Sequence, residues 1–144
     1  MLLAATVAGV AILASSCADF DAVVDPTGGV PDVAVAEPTL SRDVQPIFTK
    51  RCSIGGCHSL ASAQAGLVLT EGRSYDALVN VPSRLGTQLL VSPGAPDASW
   101  LVAMIGPDPE RRLGFSRMPL ASHPLTPNQI ATIAKWIERG AARD

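Results

Sequence analysis

The clearest pattern of apolar and polar positions lies near the C-terminal end. Ile130, Ile133, Ala134 and Ile137 recur at helical spacing, which predicts a helix with one apolar face and Trp136 beside it. Ahead of this run, Thr126-Pro127-Asn128-Gln129 has the form of a capping box with proline at the first helical position, and Gly140 supplies a stop. A shorter pattern stands upstream. Val44, Ile47 and Phe48 fall at i, i+3 and i+4, Ser41 is placed to cap them, and Pro46 should shorten or bend the helix. Two more short helices are expected near residues 74–79 and, after a cap at Asp97, near residues 98–105. Only residues 88–91 carry a competing strand pattern, and no repeat at solenoid periods is visible. What remains is loop.

Composition sharpens that picture. With 12 glycines and 12 prolines in 144 residues, about four short helices and long loops leave little regular core. A large apolar prosthetic group would supply the missing packing surface. Much of the 47% hydrophobic content sits in the first sixteen residues, which carry no charge. That run is shorter than the roughly 20 residues of a bilayer span and ends in small residues, as an export signal does. Residues 18–39 then hold Asp19, Asp21, Asp25, Asp32 and Glu37, no basic residue, three prolines and Gly28-Gly29, which reads as a flexible tether. The expected organisation is a signal peptide over 1–16, a tether over 17–39 and one domain over 40–144. All 11 basic residues fall in that last segment, but they are scattered rather than gathered in a stripe, which argues against nucleic acid as a partner.

Ala14-Ser15-Ser16-Cys17 resembles the bacterial lipobox, in which small residues precede a cysteine that becomes acylated. The resemblance implies a lipid anchor at Cys17 and a place in the cell envelope, facing the periplasm or the outer surface. An ordinary signal peptide cut nearby would leave Cys17 a simple thiol. With Cys17 set aside, the three cysteines reduce to one pair, Cys52 and Cys57, and export makes a disulfide between them possible.

The chemistry is concentrated in Cys52-Ser53-Ile54-Gly55-Gly56-Cys57-His58. In c-type attachment two cysteines add across the heme vinyl groups and the adjoining histidine becomes the proximal ligand. The usual spacing between the cysteines is two residues; here it is four. The added residues must bulge away, which Gly55-Gly56 permits, while Cys57 keeps its ordinary place beside His58 and is the more secure attachment point.

The chain resembles class I cytochrome c-like domains with an elongated heme motif on bacterial envelope lipoproteins. The resemblance runs over about residues 41–141, through VQPIFTKRCSIGGCH, AGLVLTEGRSYDALVNVPS, VSPGAPDASWLV, RMPL and LTPNQIATIAKWIERGA. It implies an all-α fold around one heme c, with an early helix crossing the terminal one so that Phe48 meets Trp136 or its neighbours. It also implies a distal ligand on a downstream loop, for which Met118 in Arg117-Met118-Pro119 is the candidate beside His58.

His123 is a rival distal ligand, and Met104 reads as core filler. Trp100 and Tyr75 are candidates to line the heme pocket, and Arg117 to meet a propionate. With both axial positions filled by side chains the iron has no substrate position, so the implied function is single-electron transfer to redox partner proteins of the envelope rather than enzymatic turnover. Two other classes stay open: a structural domain with a Cys52–Cys57 disulfide, and a zinc site, which lacks a clear fourth ligand.

Overall fold

The computed structural model describes residues 25–120 and 122–144; Cys17, the signal segment and the start of the tether lie outside them. Four helices follow in order: α1 (Gln45–Arg51), α2 (Ser74–Leu78), α3 (Trp100–Ile105) and α4 (Pro127–Glu138). A π turn over Leu40–Val44 leads into α1. Among the described residues there is no strand, and the all-α expectation holds; the 88–91 region contributes only isolated bridges, Val79 to Val91 and Pro82 to Leu89. No helix of the described residues is long and apolar enough to cross a membrane.

The first helical segment begins two residues earlier than its pattern suggests. Thr39, not Ser41, is the cap: its hydroxyl accepts from the Arg42 N–H at 3.3 Å, and the Asp43 carboxylate accepts from the Thr39 N–H at 2.8 Å. Pro46 lacks the N–H that a regular helix would use here, and the turn before it opens to the wider π spacing. Asp97 likewise sits inside a short 3-10 turn, Pro96–Ala98, while buried Ser99 precedes α3 and donates its hydroxyl to the Ala95 carbonyl at 2.9 Å.

Helix α4 forms as its sequence dictates. Thr126 and Gln129 bond each other's backbones reciprocally, and at the far end Gly140 (φ 100°) and Ala141 donate to the carbonyls of Ile137 and Trp136 at 2.9 Å each. Its buried face carries Ile133, Trp136 and Ile137 into one core cluster with Val44, Phe48 and Leu78. The helix meets the N-terminal segment through the Leu40–Val44 turn, and it also packs on α3.

Residues 25–39 behave differently from a free tether. Val30 is buried in the core cluster, Gln129 Nε2 donates to the Thr27 carbonyl at 2.9 Å, and Thr126 Oγ1 donates to the Asp32 carboxylate at 2.6 Å. Asn128 Nδ2 reaches the Asp32 carbonyl at 3.1 Å, and the Val35 N–H donates to Thr132 at 3.2 Å. The polar side chains that begin α4 thus find partners on this segment, which lies along the helix as a strap. Its own turn is closed by Asp25, which accepts from the Thr27 hydroxyl and from the Thr27 and Gly29 N–H groups; the hydroxyl bond first, then the two backbone bonds, hold its carboxyl below the usual range.

Candidate functional site

The end of α1 delivers Cys52 into the domain, and the loop after it returns on itself. His58 N–H donates to the Cys52 carbonyl at 3.0 Å, and the Leu69 N–H donates to the His58 carbonyl at 2.8 Å. Leu69 is fixed in turn, because the buried Gln45 side chain donates to its carbonyl at 3.0 Å and also joins Ser74 at the start of α2. Two helices therefore set the position of His58. Between Cys52 and His58 the intervening residues bulge outward: Ile54 is exposed, and Gly55 and Gly56 (φ 81°) face open space.

Inside this frame lies a cavity of about 230 Å³ with Cys52, His58, Met104 and Met118 in its walls. Apolar side chains complete it, among them Leu67, Leu78, Leu90, Trp100 and Leu101. Met118 is held by its N–H, which donates to the Met104 carbonyl at 2.9 Å, and by Arg117, whose Nε donates to the Ile105 carbonyl at 2.8 Å. The two residues that the sequence singles out as axial ligands thus border one cavity, and Cys52 shares it.

The remaining candidates divide. Trp100 lines the cavity; Tyr75 does not, its ring lying under the Arg143 guanidinium at 4.3 Å. Met104 is buried as core filler should be, yet it also borders the cavity. His123 is exposed and away from the wall. Cys57 is half-buried and contributes no surface to the cavity, because the chain turns at Gly56 before reaching it; Cys52 holds the wall position instead. Arg117 is committed to a backbone carbonyl rather than to the cavity. The cationic group that does border the cavity is Arg84, unnoticed in the sequence, where nothing separates it from the other scattered arginines. Its guanidinium lies so close over Gly66 that a Cβ there would meet it at 2.8 Å.

Cys52 and Cys57 are free thiols. Burial pushes the Cys52 thiol up to about 12; Arg51 opposes this and Cys57 adds to it. His58 Nδ1 is buried with no hydrogen-bond partner among the described residues, an arrangement that costs stability unless something else engages the ring. No cluster of three or more His, Cys, Asp or Glu side chains occurs among the described residues, so the donors that converge here are one imidazole and sulfur. An apolar hollow with that donor set and one cation at its edge suits a flat, mostly apolar, iron-bearing ligand with an anionic rim, and the residues present fit heme.

No protein family, no curated protein and no solved structure matches the chain.

Proposed function

We propose that the protein is a cytochrome c-like electron carrier of the bacterial cell envelope, binding one heme c in this cavity and anchored through Cys17. The observation that carries the reading is the convergence of Met118 with Cys52 and His58, some sixty residues upstream, on one apolar cavity. The heme, when bound, supplies a one-electron couple. His58 and Met118 would hold its iron, Cys52 and Cys57 would provide the thiols for attachment, and Arg84 would neutralise a propionate. The leucines and Trp100 exclude water, which with the axial ligands sets the potential. With His58 and Met118 both held to the iron, no substrate position would be left, and the chemistry would be outer-sphere transfer to and from redox partners.

Heme staining after denaturing electrophoresis tests the reading, since only thioether-bound heme stays with the polypeptide. A stained band is expected. An unstained band from export-competent cells, with Cys52 and Cys57 linked as a disulfide, would establish the structural-domain alternative. The anchor has its own test: Cys17→Ala should move the protein from the membrane fraction to the soluble one, and identical partitioning of variant and parent would remove the lipid from the proposal.

A further inference from the structure

Arg51 closes α1 immediately before Cys52, and it is only 6% exposed. Its guanidinium makes no ion pair among the described residues. Instead Nη1 donates to the Pro26 carbonyl of the strap at 2.5 Å, and Nη2 donates to the His123 carbonyl at 2.6 Å. Nε is buried with no partner among the described residues. The strap also closes over the stem of this side chain: at Gly28 (φ 65°) a Cβ would come within 2.5 Å of Arg51 Cδ.

A buried cation held by two carbonyls from distant segments costs desolvation, and what it provides in return is a link between those segments. One of them leads to the distal side of the cavity. His123 follows Met118 by five positions, and Leu125 beyond it is buried in the core. On its upstream side the Met118 segment is pinned to α3 by the bonds to Met104 and Ile105. On its downstream side the pin is Arg51, and Arg51 is shared with the strap.

We propose that Arg51 is a positioning residue through which the N-terminal strap holds Met118 against the cavity, so that loosening the strap opens the distal face. The proposal rests on the reading of Met118 as an axial ligand. Its physical basis is competition: lifting Pro26 and Gly28 admits water to the guanidinium, and water then competes for the bond to His123. Because such a coupling is reciprocal, closing the distal segment over the cavity also tightens the strap.

Two strap glycines provide the experiment, in the full chain. Gly28 and Gly29 both have positive φ, 65° and 76°, so alanine is strained at either; only Gly28 approaches Arg51, and Gly29 faces open space. Amide hydrogen exchange at Met118 and the rate of carbon monoxide binding to the ferrous protein are compared between Gly28→Ala and Gly29→Ala. Gly28→Ala should speed both by roughly five- to tenfold over Gly29→Ala, the weakening expected when about one buried hydrogen bond is lost. Equal effects of the two variants, or faster exchange at Val35 with none at Met118, would overturn the coupling. Arg51→Gln should reproduce the Gly28→Ala behaviour at Met118. Should the protein carry no heme stain, the functional reading fails while the Met118 amide still decides whether the strap and the distal segment are linked.

Discussion

Around α4 the polar side chains find partners, whereas in the cavity wall the His58 imidazole keeps a buried nitrogen with none among the described residues. Thr126, Asn128, Gln129 and Thr132 each bond the strap or the helix's own backbone, and the buried Ile133, Trp136 and Ile137 sit against the core. The buried side-chain atoms without partners among the described residues, Arg51 Nε, Ser53 Oγ and His58 Nδ1, all fall within residues 51–58. Nearby, Leu60 and Leu85 are 67% and 44% exposed, and Leu85 borders the cavity. One half of the molecule is complete as polypeptide. The other keeps an apolar cavity open beside a buried imidazole nitrogen that has no partner among the described residues, an asymmetry that the proposed cofactor would account for.

The contrast can be pressed hardest at Trp136. Trp136→Ala should cost about 3–5 kcal/mol by chemical denaturation, because the core around it is closed and cannot collapse into the gap. A much smaller loss would mean that the α4 half is as loosely finished as the cavity half.

Next comes the reactivity of Cys52 in the heme-free chain. A thiol pushed by burial from the ordinary value of 9.0 up to about 12 carries far less thiolate near pH 8 than the unfolded chain does. Alkylation followed by mass spectrometry should therefore find Cys52 slow in the folded chain and fast in denaturant. The sign for stability follows: the contribution is fully present below pH 9 and is lost as the pH climbs toward 12, because the unfolded chain gives up the proton first. Equal alkylation of Cys52 in the two states would place it outside the wall.

Met118 gives an effect of intermediate size. Met118→Ala should lower the potential by on the order of 100 mV, about 2 kcal/mol for one electron, and admit carbon monoxide to the ferrous protein. Met104→Leu, in the same wall, should leave both unchanged. If Met118→Ala is silent and His123→Ala produces the loss of ligand, the distal assignment passes to His123. The smallest effect is expected at Thr126, whose replacement by alanine removes one helix cap and one strap bond and should cost about 1 kcal/mol in thermal unfolding. That loss should be the same with and without heme.

The parts legible in the sequence are those whose causes are local. The α4 capping box and its glycine stop each lie within a few residues, and reading them needs no knowledge of the rest of the chain. Thr39 was harder to tell from Ser41, since the choice turns on the Asp43 carboxylate reaching back to the Thr39 N–H. The strap was illegible: an acidic, proline- and glycine-rich segment has no periodicity, and its partners are the cap side chains of a helix about a hundred residues later. At the cavity, His58 and Met118 were candidates through the Cys-Cys-His motif and the family resemblance, and both lie in its wall. The wall position of Cys52 rather than Cys57 could not be read that way, because it depends on where the loop turns, nor could Arg84, whose distinction is its approach to Gly66.

The strap changes how far the domain can stray from its anchor. Fully extended, residues 18–39 could span about 75 Å from Cys17, whereas with the strap docked from Asp25 onward the seven residues before it can span at most about 25 Å. With the proposed acylation at Cys17, a reach that short would confine the domain to a thin layer at the bilayer surface. Under the proposed electron-transfer role, exchange would then become a search in two dimensions among partners that share the membrane, and a carrier beyond that layer would have to come to it.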